Sequence, residues 1–527
     1  MKKFIKKIKS NKFLYILSVL IVGVFFILIA KVTYAFLAPI INNAQTNIVI
    51  KGDTVDEFKL KVGNSLKLDA TPTTLKENGT NYTTSTTATA SLKANSTKNT
   101  ATYNYYLYFQ IENNTFTYTS GTTPEIILTI TNPNGEEVTS IEGLTYGTFN
   151  GVSGFDVTTQ NGLFNIANNY SITSNSSTTA TIHEWTVTLT YLNQAYDQSG
   201  NFGKSMEVGV LLQKEEVKPL LADYVKSLYV SNNGENGIYY HDATLTNGAG
   251  DNSYRYAGAS SDVNNYVCFG STQSPCPADN LYRIIGVFGD KVKLIKSDYA
   301  TSALLGADGD YKEKYSYDSS KYKGNTNNLA NIAAYTWNYK NNTSINSGNG
   351  SNTWSTSLLN KTNLNKNFIT NIGADWAAKI DKTTWKVGGN TWANIGKQPA
   401  KTAYQNEIVS PVTTNTTDNA TTYSAKIGLM YASDYGFAAA PSAWTANLNT
   451  YYGEAIKNVN WMYMGLYEWT ISRYADDAYS VFDVYGIGNL NLSNANDAFG
   501  VRPVFYLSSS VNYASGSGSA TDPISIN

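Results

Sequence analysis

Hydrophobic and polar positions along the 527-residue chain alternate in three different ways. Residues 13–30 read FLYILSVLIVGVFFILIA, apolar and uncharged, behind lysines at positions 2, 3, 6, 7, 9 and 12. A helix rising about 1.5 Å per residue nearly crosses a hydrocarbon core of about 30 Å, so this stretch is expected to be a transmembrane or signal helix. Lysines stay on the cytoplasmic side, which puts everything beyond Lys31 outside. Two outcomes stay open for segment 1–35. Thr33 and Ala35 are small residues of the kind a signal peptidase reads, and cutting after Ala35 frees the chain. Retention leaves a single-pass anchor.

From 36 to 217 the period is two. Residues 185–191, WTVTLTY, place apolar side chains on one face and threonine on the other, and 103–109 and 125–130 have strand composition. Turn-forming NPNG at 132–135 and DQSGN at 197–201 punctuate them. An all-β sandwich is the expected fold. The Ser/Thr/Asn-rich stretch 81–102 fits either a solvated loop or a weak strand pair.

After Pro219 the pattern changes again. Residues 220–229 carry apolar positions at helical spacing, predicting a connector helix and linker over 218–232. A larger α+β domain then fills 233–527. Within it, 281–288 and 291–296 flank Gly289-Asp290 as a hairpin with glycine first in a type II′ turn. Leu364, Phe368, Ile372, Trp376 and Ile380 recur every fourth residue and predict an amphipathic helix with Gly373 as its weak point. Further core strands are expected at 427–431, 461–466 and 501–507.

Composition narrows the function. Thirty-nine basic residues against 40 acidic ones give a formal net charge of −1, which argues against nucleic acid as a partner. His183 and His241 are the two histidines, and Cys268 and Cys276 the two cysteines. That scarcity disfavours zinc enzymes and nucleophile–His hydrolases, and neither a metal nor a cofactor is expected. His183 has no second histidine four residues on and reads as a strand-entry residue. In an exported chain the two cysteines are expected to form a disulfide, worth about 2–3 kcal/mol for so short a loop.

Asp308, Asp310, Asp476, Asp477 and Asp497 sit in Asn/Asp-rich segments that would suit calcium, but turn formation explains them better and no EF-hand spacing is present. Glu468 could be one of a glycosidase's two carboxylates. The plainer expectation is a buried carboxylate paired with Arg502 or Arg473, since a rigid guanidinium fork suits buried pairing. Between 472 and 500, Tyr474, Asp476, Asp477, Tyr479, Phe482, Asp483 and Tyr485 are expected on a loop, where aromatic and polar side chains together recognise sugars or peptides.

Two resemblances add to this. The TYAF leader and the following β-rich region resemble the camelysin and biofilm-matrix fibre family of secreted sandwiches, which implies self-association; no HExxH supports a protease. The phrases GIYYHD, NGAGDNSYRYAG, NYVCFGS, CPADNLYRIIGVFG, KIGLMYASDYGFA, EWTISR and AFGVRPVFYLSS resemble a domain widespread in exported proteins of low-GC bacteria. Their closing EW and GVRPV are similar to the end of a C-type-lectin-like fold, shared with formylglycine-generating enzymes, where the segment equivalent to 473–500 forms the ligand face. The expectation is a non-enzymatic bacterial surface protein, at the cell membrane or secreted, presenting a lectin-like or adhesin domain to a glycan or protein on a sandwich stalk. Matrix fibre and carboxylate-dependent glycan enzyme are the alternatives.

Overall fold

The computed structural model describes residues 55–75, 79–315, 320–326, 329–339, 350–411 and 420–527. The apolar stretch 13–30 and Ala35 lie outside them. Among the described residues no helix is long and apolar enough to cross a membrane. The chain divides into two compact units, Met1–Val217 and Lys218–Asn527.

The strands of the first unit are β1 (Glu57–Val62), β2 (Leu66–Asp69), β3 (Tyr82–Lys93), β4 (Ala101–Glu112), β5 (Ile126–Thr131), β6 (Tyr146–Phe149), β7 (Val152–Asp156), β8 (Gly162–Ser174), β9 (Thr181–Tyr191) and β10 (Ser205–Gln213). They form two antiparallel sheets, β1-β3-β9-β5-β7-β6 and β2-β10-β4-β8. Period-two alternation decides which face is buried. Ala88, Ala90 and Leu92 of β3 and Trp185, Val187 and Leu189 of β9 turn into the core, where they meet Tyr105, Leu107 and Phe109 of β4 from the other sheet. Trp185 Nε1 donates to Tyr105 Oη at 2.9 Å, and the same hydroxyl lies 3.0 Å from His183 Nδ1. His183 is thus held on β9 by the opposite sheet. The Thr-rich stretch 81–102 is resolved as the twelve-residue β3 and the start of β4. Its alanines pack tightly where larger apolar residues were the expected signal, which is why the sequence pattern looked weak.

In the second unit the chain runs through β11 (Ile238–His241), β12 (Ser253–Tyr256), β13 (Tyr266–Cys268), β14 (Leu281–Phe288), β15 (Lys291–Lys296), β16 (Tyr311–Lys314), β17 (Ala333–Thr336), β18 (Thr383–Lys386) and β19 (Gly389–Asn390). It continues through β20 (Thr422–Ala425), β21 (Ile427–Gly428), β22 (Glu468–Tyr474), β23 (Ser480–Val484), β24 (Leu490–Asn494), β25 (Ala498–Phe499), β26 (Val504–Tyr506), β27 (Tyr513–Ser515) and β28 (Ser525–Ile526). The main sheet is ordered β11-β12-β14-β15-β26-β21, with β13 pairing β14, and a second sheet is ordered β19-β22-β23-β24. The β14–β15 hairpin forms as the sequence predicts, with Gly289 at φ 67° in its turn. Cys268 and Cys276 are disulfide-bonded, stapling the loop between β13 and β14.

Three expectations change here. The helix predicted over 364–380 is broken. A π-helical stretch, Leu359–Phe368, runs into Ile369–Asn371, and the chain turns at Gly373 (φ 87°) before the helix Ala374–Ala378. The apolar stripe still serves, since Leu364, Phe368, Ile372 and Ile380 are all in the core. Residues 461–466 are not a strand. They form buried turns, with Trp461, Met462 and Tyr463 in the core and Trp461 Nε1 donating 2.8 Å to the Tyr256 carbonyl. Finally, the helix Leu221–Ser227 is no free connector, because Leu221, Ala222 and Val225 are buried in the core of the second unit. The closing segment of the chain holds this helix. Leu221 N donates to Val511 O at 2.8 Å, Tyr513 N donates to Pro219 O at 2.9 Å, and the Tyr224 and Tyr513 rings stack at 3.7 Å.

Candidate functional site

The segment between 472 and 500 is a strand meander and not the loop that its Tyr, Asp and Asn content suggests. Strand β23 pairs with β22 on one side and β24 on the other. Val481, Phe482 and Val484 supply the apolar payload that a strand buried on both faces needs, which the acidic residues around them conceal in composition. Phe482 is fully buried, its ring parallel to that of Trp392 at 6.1 Å and edge-on to Tyr474. Asp483 is also fully buried. Neither is available to a ligand as a loop residue would be.

The other candidates divide between support and surface. Asp477 caps the β22–β23 turn, accepting from Tyr479 N at 2.9 Å, from Ser480 N at 2.6 Å and from Ser480 Oγ at 2.6 Å. Asp476 is exposed, and its hydrogen bond with the Tyr474 hydroxyl pushes that group up to about 12. Tyr479 is half-buried, its carbonyl accepting from Ala495 N at 2.8 Å. Tyr485 stands at the end of β23, edge-on to Tyr467 at 4.4 Å. In the other acidic segments, Asp310 takes Leu359 N at 2.9 Å, and Asp497 takes Asn494 N at 3.0 Å.

Tyr485 opens onto a cleft of about 260 Å³, lined also by Tyr452, Ile487, Asn489 and Asn491. Its floor comes from the β23–β24 hairpin. Tyr485 N donates to Asn489 O at 2.8 Å, closing a turn in which Gly488 takes φ 108°. Two tyrosines from below hold that turn, Tyr435 Oη donating 2.6 Å to Gly488 O and Tyr463 Oη donating 3.0 Å to Gly486 O. Tyr452, 53% exposed, and Ile487, 40% exposed, give the cleft an open apolar rim. Asn489 Oδ1 is buried without a hydrogen-bond partner. The cleft therefore joins aromatic surface and the half-buried Asn491 to a pre-formed backbone turn, the combination that orients a small polar ligand.

Behind it lies Asp483. Period two puts Asp483 and Tyr485 on one face of β23 and Asn489, Asn491 and Ser493 on the matching face of β24, with Asn491 directly opposite Asp483. Neither carboxylate oxygen has a partner at full hydrogen-bond geometry, and burial pushes this carboxyl up to about 8, with the Ser493 and Asn491 side chains pulling it part of the way back and Asp497 adding to the rise. It is a neutral acid at pH 7.

Glu468 pairs with Arg502. Arg502 Nε donates to Glu468 Oε1 at 2.7 Å, and its Nη2 donates to Met462 O at 2.8 Å. Arg473 takes no part in this pair. A two-residue irregularity in the β22–β23 register separates Trp469 from Arg473, which sits beside Gly389 of β19 with its Nε 3.3 Å from Val387 O.

Sequence reasoning named Tyr485 but missed its companions. Asn489 and Asn491 alternate with Leu490 and Leu492, a period-two signal that was present in the sequence. Tyr452 arrives from a distant turn that no local pattern marks. No family model matches the chain, and no curated protein is significantly similar to it.

Proposed function

We propose that the protein is a non-enzymatic bacterial surface or secreted protein whose second unit binds a neutral polar ligand, a glycan residue, in the Tyr452–Tyr485–Asn491 cleft. The first unit acts as a stalk, and the fold of the second is read as C-type-lectin-like on the resemblance of its closing strands. The observation that carries this is the cleft itself. Tyr485 and Tyr452 offer ring faces to the apolar side of a sugar, and Asn491 offers an amide to its hydroxyls. No charged side chain lines it, which fits an uncharged ligand. Glu468, the carboxylate best placed in sequence for catalysis, is instead buried against Arg502. Export rests on the lysine-flanked apolar segment 13–30.

The test is a broad glycan array probed with residues 36–527, alongside Tyr485→Ala and Asn491→Ala. Binding that falls tenfold or more (about 1.4 kcal/mol) in each variant supports the reading. Silence of the wild-type chain across the panel sinks it.

A specific observation also favours a fibre role. Strand β8, thirteen residues long, ends its sheet, and its sequence GLFNIANNYSITS carries neither the lysine nor the proline that blunts an open edge. Electron microscopy of the same chain separates the two roles, since fibres would give the first unit more than a stalk's work.

A further inference from the structure

Among the four arginines, Arg255 and Arg283 leave no buried donor unpartnered, Arg502 leaves only Nη1 so, and Arg473 leaves two. Arg255 reaches Asp251 at 2.6 Å and Ser253 at 2.8 Å. Arg283 donates to Asn265, Ser260 and the Val263 carbonyl at 2.6, 2.7 and 3.0 Å. Arg502 has Glu468 and Met462 O. Arg473 is different. It is 1% exposed, its Nε donates at 3.3 Å to Val387 O, and among the described residues both Nη1 and Nη2 are buried without a partner.

A buried guanidinium stays charged, and desolvation pulls Arg473 down only to about 10. A buried charge is tolerated when it is paired and its donors are satisfied. Among the described residues no carboxylate does this for Arg473, and the whole shift comes from burial. Its surroundings are small and apolar. A Cβ built on Gly389 would lie 2.9 Å from Arg473 Cζ and Nη1 and 3.0 Å from the Ala475 Cβ, so the guanidinium rests directly on the β19 backbone.

We propose that Arg473 is a buried binding site for a monatomic anion, a halide such as chloride, which takes the free N–H groups of Nη1 and Nη2 and balances the charge. A monatomic anion asks for the least space beside a guanidinium packed this closely on Gly389 and Ala475. The site lies on β19 and β22 and is separate from the cleft on β23 and β24.

The test uses residues 36–527 at constant ionic strength, replacing sodium gluconate stepwise with sodium chloride. The melting temperature of the wild type rises and saturates with chloride, while that of Arg473→Met does not respond. Crystals of the wild type soaked in bromide provide a readout that needs no variant, with anomalous scattering expected at hydrogen-bond distance from Arg473 Nη1 and Nη2. Equal melting in both salts, or bromide peaks elsewhere and none at Arg473, overturns the proposal.

Discussion

Asp483 is an acid placed where an acid is costly. It faces Asn491 across the β23–β24 pair, and Tyr315, Tyr467 and Asp497 are the titratable groups whose charges bear on it or respond to it. With its folded value near 8 against an ordinary 3.8, the folded chain holds a proton that the unfolded chain has already lost. Stability from this group is therefore complete below about pH 4 and drains away as pH rises through about 8. Asp483→Asn removes that drain. Thermal melts from about pH 4 to about pH 9 should show the wild type losing stability relative to the variant across this window, with the variant the more stable at the alkaline end. Parallel curves would mean that the carboxyl ionises freely in the fold. The Glu468–Arg502 pair behaves oppositely at the same scale. Removing one charge strands the other in the core, so Glu468→Gln should cost about 3–5 kcal/mol by chemical denaturation. Ligand binding below the melting temperature should survive.

At the level of elements, alternation was the most legible signal. The β14–β15 hairpin and β9 could be read directly because apolar and polar residues take turns along them. The cysteine staple was legible too, since two cysteines eight residues apart, the chain's only pair, suit a short disulfide loop. Replacing Cys268 and Cys276 by serine should cost about 2–3 kcal/mol, read as a lower denaturation midpoint that reducing agent reproduces in the wild type. Meander β22–β24 was not legible. Asp476, Asp477 and Asp497 do belong to turns, but the strands between them are short, and Asp483 in the middle of one has the composition of a loop and the position of a core residue. The helix over 364–380 was half legible, because its stripe records burial while its break depends on the left-handed backbone at Gly373.

For the molecule as a whole, two cores mean two folding units. The core of the first unit is drawn from residues 58 to 212 and that of the second from 221 to 526. Residues 36–217 and 218–527, produced separately, should each melt in one cooperative transition, and calorimetry of the joined chain should resolve into the same two. A unit that stays unfolded alone, by circular dichroism, would show that the cores depend on one another. The division at 217 was legible as a change of hydrophobic period. The tyrosine cleft was not, since it takes Tyr452 and Tyr485 from places that only the tertiary fold brings together.

The seal between the helix Leu221–Ser227 and residues 511–513 also sets an order in time. The first helix of the second unit is fastened by residues made nearly three hundred positions later, and Ile524 then locks β13 through bonds to Tyr266 and Cys268. A ribosome that has made about 290 residues of this unit has still not made its clasp. The nascent chain must therefore wait, open, with Leu221 and Val225 uncovered, until residues 511–524 emerge. That interval is when a holding chaperone has something to grip, and when a threading translocase meets no finished domain to pull apart.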